Sequence, residues 1–201
     1  MRLAEAVIIG RDFSEPLKDS DTIRVYHGAR EALTVYQAVT RGISGDRRAF
    51  RTYSYENNNN PKGLFVTPDL RTAKDFAHTV IEFHTRVYDL EAPVWPGGRY
   101  TVQGEMAQMF DSDDEREQQR LQNRMNLSDS EFDYIRDSDR PELALWLIKT
   151  GERQALFRGD LNPNSIRAVW VSPDTNITTS VQSFERISPE EFIDLYDQEE
   201  Y

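Results

Sequence analysis

The 201-residue chain predicts an α+β domain with a split, mixed or mainly antiparallel β-sheet and a charged helical insertion. Three observations carry this. Strand-like and helix-like segments follow the order strand, helix, strand, helix, strand, helical insert, strands. The stretch 104–150 is helical and charged in pattern, and it separates the third strand from the last ones. No G-x-G-x-x-G opens a βαβ unit and no G-x-x-x-x-G-K-S/T occurs, so a Rossmann or P-loop architecture lacks its phosphate cradle.

The elements follow in order. Val7 to Ile9 reads as a short strand, and Thr22 to Tyr26 as a stronger one, rich in β-branched and aromatic residues. From Ala29 to Val39, Leu33, Tyr36 and Ala38 or Val39 recur at helical spacing, and Gly42 is placed to stop that helix. Residues 43–62 read as a long loop holding Gly45, the run Asn57 to Asn60, and Pro61. Leu64 to Thr67 is a short strand. Pro68-Asp69 opens a helix from about Leu70 to His78, with Asp69 as its cap. Val80 to Leu90 is long enough for one central strand, and Pro93, Pro96, Gly97 and Gly98 break the chain after it.

Between Asp111 and Arg140 acids outnumber bases, and Leu121, Met125 and Leu127 form a thin apolar stripe. Pro141 to Ile148 is more apolar and reads as a packed helix ending near Gly151. Gln154 to Phe157 and Ile166 to Val171 are the last core strands, joined by a turn at Asn162-Pro163-Asn164. Ser188-Pro189-Glu190-Glu191 is a capping box with proline at the first helical position. The helix after it, about 189–198, sets acids against Phe192, Ile193 and Leu195. The whole reads as a single domain.

Composition narrows the functions open to such a domain. With 38% hydrophobic and 11% aromatic residues the chain builds a real core. Its net charge of -11 argues against nucleic-acid binding by the surface as a whole, while leaving room for a local basic patch. No cysteine is present, which removes disulfides, thiolate catalysis and Cys-based zinc sites. No stretch approaches the ~18 apolar residues of a membrane span, and the N-terminal apolar run is short for a secretion signal. A cytoplasmic protein with no membrane partner is the expectation.

The residues that carry chemistry form an ordered set. Tyr26-His27-Gly28 closes the first strong strand. Gly63-Leu64-Phe65-Val66-Thr67 follows, then Ala73-Lys74-Asp75-Phe76-Ala77 on a helix. In this order the set resembles the NAD-binding half of ADP-ribosyltransferases of the histidine-tyrosine-glutamate (diphtheria toxin/PARP-like) type. The resemblance implies that fold and NAD as co-substrate, with no metal. It implies that His27 bonds a ribose of NAD, and an imidazole can both donate and accept. It implies that Gly28 lets backbone approach the nicotinamide carboxamide, since glycine has no Cβ to block it. Phe76 falls where the family's nicotinamide-stacking tyrosine sits, and Phe65 where a second aromatic sits; phenyl keeps the stacking face. Tyr26 and Thr67 complete the implied NAD-binding set.

The catalytic strand of the family begins with a glutamate and is followed by a turn and a strand such as Val-Trp-Val. Laid on that pattern, Gln154 takes the catalytic position and Glu152 lies two residues before it, on the same side of a strand. Breaking the nicotinamide–ribose bond builds positive charge on the ribose. A carboxylate stabilises that charge, whereas a glutamine can hold a hydroxyl but brings no charge. Three arrangements stay open. Glu152 and Gln154 act together, which is the favoured one. Glu142 or Glu105 reaches in from the helical insert. Or the site binds NAD without cleaving it.

The resemblance therefore implies an NAD-dependent ADP-ribosyltransferase that modifies a macromolecule and releases nicotinamide, in the manner of an intracellular bacterial or phage effector or toxin with a neutralising antitoxin partner. Arg47, Arg48 and Arg51 beside Phe50, Tyr53 and Tyr55 make nucleic acid the first acceptor to test and protein the second. The rivals are a non-catalytic NAD or ADP-ribose binding module and an acidic interaction protein. His78 and His84 lack the spacing of a metal site, and the acidic runs lack that of an EF-hand.

Overall fold

The computed structural model describes residues 16–45, 63–75, 77–91, 112–149, 154–172 and 183–199. In chain order these form β1 (Thr22–Ala29), α1 (Ala32–Arg41), β2 (Leu64–Val66), α2 (Leu70–Lys74), β3 (Thr79–Arg86) and β4 (Leu90–Glu91). Then come α3 (Glu115–Met125), α4 (Asp129–Arg136), α5 (Pro141–Lys149), β5 (Ala155–Phe157), β6 (Ile166–Val171), β7 (Glu185–Ile187) and α6 (Pro189–Glu199). The architecture is α+β. One sheet has the order β1-β3-β6-β7 and the other β2-β5-β4, and every pairing among the described strands is antiparallel. A bridge joins them: Tyr26 and Thr67 exchange backbone hydrogen bonds of 2.8 and 3.0 Å.

Alternation along the strands puts the core between the two sheets. Ile23, Val25, Ile81, Phe83 and Val169 face it from the larger sheet, and Leu64, Val66, Ala155 and Phe157 from the smaller. Phe83 and Phe157 meet edge to face, with centroids 5.2 Å apart. Such a pair adds about 0.5–1.5 kcal/mol beyond its area burial. α1 closes the core with Val35, Ala38 and Val39, and α6 with Phe192. Gly42 ends α1 at φ 78°, a conformation that favours glycine, and its N–H bonds the carbonyl of Ala38.

The helical insert has a core of its own, from Leu121 and Leu127 through Phe132, Tyr134 and Ile135 to Ala144 and Leu145. Four consecutive residues of α5 are buried because both its sides are covered. Leu143 and Trp146 enter the main core, and Ala144 and Leu145 the insert's core. Caps set the helix starts. Asp114 accepts from the Arg116 N–H at 2.9 Å, and Ser128 with Glu131 forms a capping box.

Several sequence expectations need correction. The run Val80 to Leu90 is not one strand: β3 ends at Arg86, a 3₁₀ turn takes Val87–Asp89, and β4 restarts in the other sheet. The turn is fixed by Arg86, whose guanidinium bonds Asp89 at 2.7 and 3.0 Å. β1 does not close at His27-Gly28. It runs on to Ala29, which pairs with Thr79. The described helix α2 is shorter than 70–78, because Thr79 already pairs in β3. Ile166 to Val171 is not the last strand of its sheet, since β7 adds Glu185–Ile187 at its edge. Leu195 is exposed, and Phe192 and Ile193 do the packing of α6. The expected strand at Val7 to Ile9 and the loop beyond residue 45 lie outside the described residues.

Candidate functional site

The site is built at the seam of the two sheets. His27 lies in β1, one residue after the bridging Tyr26. Its Nδ1 is 2.8 Å from the carbonyl oxygen of Phe65 in β2. A carbonyl can only accept, so Nδ1 carries the proton. The ring is thereby held in one tautomer and one orientation, half-buried at the junction.

Gln154 adjoins the same small sheet, directly before β5. Leu64, Phe65 and Val66 pair with Phe157, Leu156 and Ala155. Since Leu64, Val66, Ala155 and Phe157 face the core, Phe65 and Thr67 lie on the other side of the small sheet. Phe65 and Gln154 are half-buried and Thr67 is buried. The Thr67 hydroxyl oxygen accepts from the Asp69 N–H at 3.1 Å, and Asp69 in turn caps α2 by accepting from the Arg71 N–H at 3.0 Å. One short segment therefore serves as bridge, site edge and helix cap.

The other implied residues divide. Tyr26 alternates with His27 and projects to the opposite face of β1, where it packs against Ala73, Ala77 and Val80. Its bridge partner Thr67 shares that face, so Tyr26, Thr67 and Phe65 stand on one side of the seam and the His27 ring on the other, with Ile23 and Val25. Burial, then the nearby Glu82 carboxylate, pushes its hydroxyl pKa up. Gly28 has a structural reason to be glycine: a Cβ there would lie 2.7 Å from the Ala73 carbonyl oxygen and 2.9 Å from the Ala77 Cβ. Its lack of a side chain lets α2 press on β1. Glu142 sits in the first turn of α5, in the insert. Glu152, Phe76, Glu105, Arg47, Arg48 and Arg51 lie outside the described residues.

One buried charge escaped the sequence reading. Glu82, in the middle of β3, is 4% exposed. Its carboxylate accepts from the Trp170 indole at 2.9 Å and from Arg186 at 3.2 and 3.3 Å, with Arg24 3.9 Å away. Burial alone would raise its pKa, but the hydrogen bonds from Arg186 and Trp170 and the charges of Arg186 and Arg24 outweigh it, and the net shift is downward. The signal was a lone glutamate inside Val80-Ile81-Glu82-Phe83. Glu82 pairs across β1 with Tyr26 and shares its face, so it stands on the side of the sheet away from His27. Its carboxylate is engaged in fastening β6 and β7.

His78 and His84 do not gather into a metal site, and no group of three or more potential ligands occurs among the described residues. No helix among them is long and apolar enough to cross a membrane. A scan against protein-family models found no match, and searches of the curated proteins and of the solved structures found none either.

Proposed function

We propose that the chain is an NAD-dependent ADP-ribosyltransferase, which moves ADP-ribose from NAD to a macromolecular acceptor and releases nicotinamide. The observation that supports this most is the seam itself. His27 is held by the Phe65 carbonyl, with Thr67 bridged to β1 and Gln154 directly before β5. In this reading His27 presents its ring to a ribose hydroxyl. Phe65 offers an aromatic face to the nicotinamide, with Phe76 as its sequence partner. Gln154 holds the 2′-hydroxyl, and Glu152, two positions earlier, supplies the charge that a developing oxocarbenium needs. An intracellular effector or toxin with a neutralising partner fits the same reading.

A second reading rests on Gln154. A neutral side chain at the position that stabilises the transition state favours a module that binds NAD or ADP-ribose without cleaving it. Labelled NAD, given alone and with protein, DNA and RNA pools, separates the two. Nicotinamide release with transfer of label supports the transferase. Binding without release selects the module, and neither binding nor release contradicts both.

A further inference from the structure

One face of this acidic chain gathers arginines, a lysine and aromatic rings. The register decides which side chains share it. The pairs Thr22–Arg86, Arg24–His84, Tyr26–Glu82 and Gly28–Val80 lie on one side of β1 and β3. Val80 pairs with Trp170, and Trp170 with Arg186, so the same side continues across β6 and β7. Lys74 of α2 reaches over it, its ammonium 4.5 Å from the Trp170 ring centroid and 4.7 Å from that of Phe184. Arg186 stands 6.0 Å from the same indole.

Two carboxylates on this side are withdrawn or matched. Glu82 is buried beneath Arg186 and Arg24, and Asp89 binds Arg86. At the ends of α2, Asp69 caps the helix by accepting from the Arg71 N–H, and Asp75 is exposed. The side chains of Arg24, Arg86 and Arg186 are 47%, 62% and 50% exposed, whereas that of Glu82 is 5% exposed. Solvent therefore meets the cations and not the central carboxylate. The result is a sheet face on which Arg24, Lys74, Arg86 and Arg186 accompany two aromatic rings above a buried central carboxylate, in a chain of net charge -11.

We propose that this face docks the phosphate backbone of a single-stranded nucleic acid. Guanidinium forks suit phosphate oxygens, and cations interleaved with flat rings suit a strand whose bases are free to stack. An acidic peptide would use the charges but not the rings. The proposal goes beyond the transferase reading, because the binding itself needs no NAD and the face lies on the side of the sheet away from His27.

The test uses the full chain and labelled oligo-uridylate, oligo-deoxythymidylate and a DNA duplex, with fluorescence anisotropy read from about 50 to about 200 mM salt. Single strands are expected to bind more tightly than the duplex, with affinity falling as salt rises. Arg24→Gln combined with Lys74→Gln should weaken binding about 10-fold and lower the salt slope by about two. Arg24→Lys with Lys74→Arg should restore it. Unchanged thermal melting checks that the variants fold. Nicotinamide release from NAD without an acceptor should not change in these variants, so failure of the docking face and failure of the NAD reading show separately. Absence of strand binding at low salt overturns the proposal. So does binding that the neutralised pair leaves intact, or competition by polyglutamate equal to that of the oligonucleotides.

Discussion

His27 and Phe65 are thirty-eight residues apart in sequence, and the imidazole Nδ1 lies 2.8 Å from the Phe65 carbonyl oxygen. The contact ties the side chain most expected to touch NAD to the backbone of the strand expected to wall the nicotinamide. Nitrogen-detected NMR should find His27 as the Nδ1–H tautomer at neutral pH. His27→Ala removes one side chain–backbone hydrogen bond, so it should cost only about 0.5–1.5 kcal/mol of stability. NAD affinity should fall by about 10- to 100-fold, the value of one good polar contact. An Nε2–H tautomer, or unchanged NAD affinity, would count against the role given to His27.

Gly28 gives a sharper structural expectation. A methyl at this position meets the Ala73 carbonyl oxygen at 2.7 Å, and backbone cannot move aside as a side chain can. Gly28→Ala should destabilise by about 1–3 kcal/mol through displacement of α2, read as a lower urea midpoint with an unchanged slope. Equal midpoints would show that α2 does not press on β1.

Much of the fold was legible because local signals agreed with it. The apolar run of Ile166 to Val171 gives β6 to the residue. Asp69 and the Ser188–Glu191 box mark two helix starts that the structure keeps, with Ser188 accepting from Glu191 at 3.1 Å and Glu191 from Ser188 at 2.7 Å. What was not legible depends on distant partners. β7 is three residues long and is held by the Arg186–Glu82 contact, 104 positions apart. The break after Arg86 depends on the side-chain pair it makes with Asp89. In the candidate site, the order of motifs named His27 and Tyr26 together, while strand alternation, which a motif ignores, sends their side chains to opposite faces.

Glu82 predicts an acid limb in the stability profile. Its carboxyl is held below the ordinary range in the folded state. The stabilisation is thus fully present above its unfolded pKa of about 4.3 and is lost as pH falls through the lower, folded value. Glu82→Gln should flatten this limb. Glu82→Ala should cost about 2 kcal/mol near neutral pH, a figure discounted because its arginine partners are half exposed. Urea unfolding from neutral to acidic pH measures both. A mutant profile parallel to that of the parent would exclude Glu82 as the source.

Arg140 couples the insert to the sheets. Its guanidinium donates to the carbonyls of Val87 and Tyr88, each at 3.2 Å, and to that of Leu90. Lysine lacks the fork, so Arg140→Lys should lose most of this contact. Amide exchange at 87–90 should accelerate and global stability should fall by about 1–2 kcal/mol. Exchange unchanged at those positions would mean that packing through Trp146 and Leu143 suffices.

The central claim is that the seam around His27 and Gln154 acts on NAD. The most direct measurement is release of nicotinamide from NAD by the purified chain, beside His27→Ala and Gln154→Glu. The account predicts release by the parent chain, a loss of about 10- to 100-fold in His27→Ala, and a gain in Gln154→Glu from the added negative charge. No release from either the parent or Gln154→Glu, together with no binding of NAD by either, would contradict it.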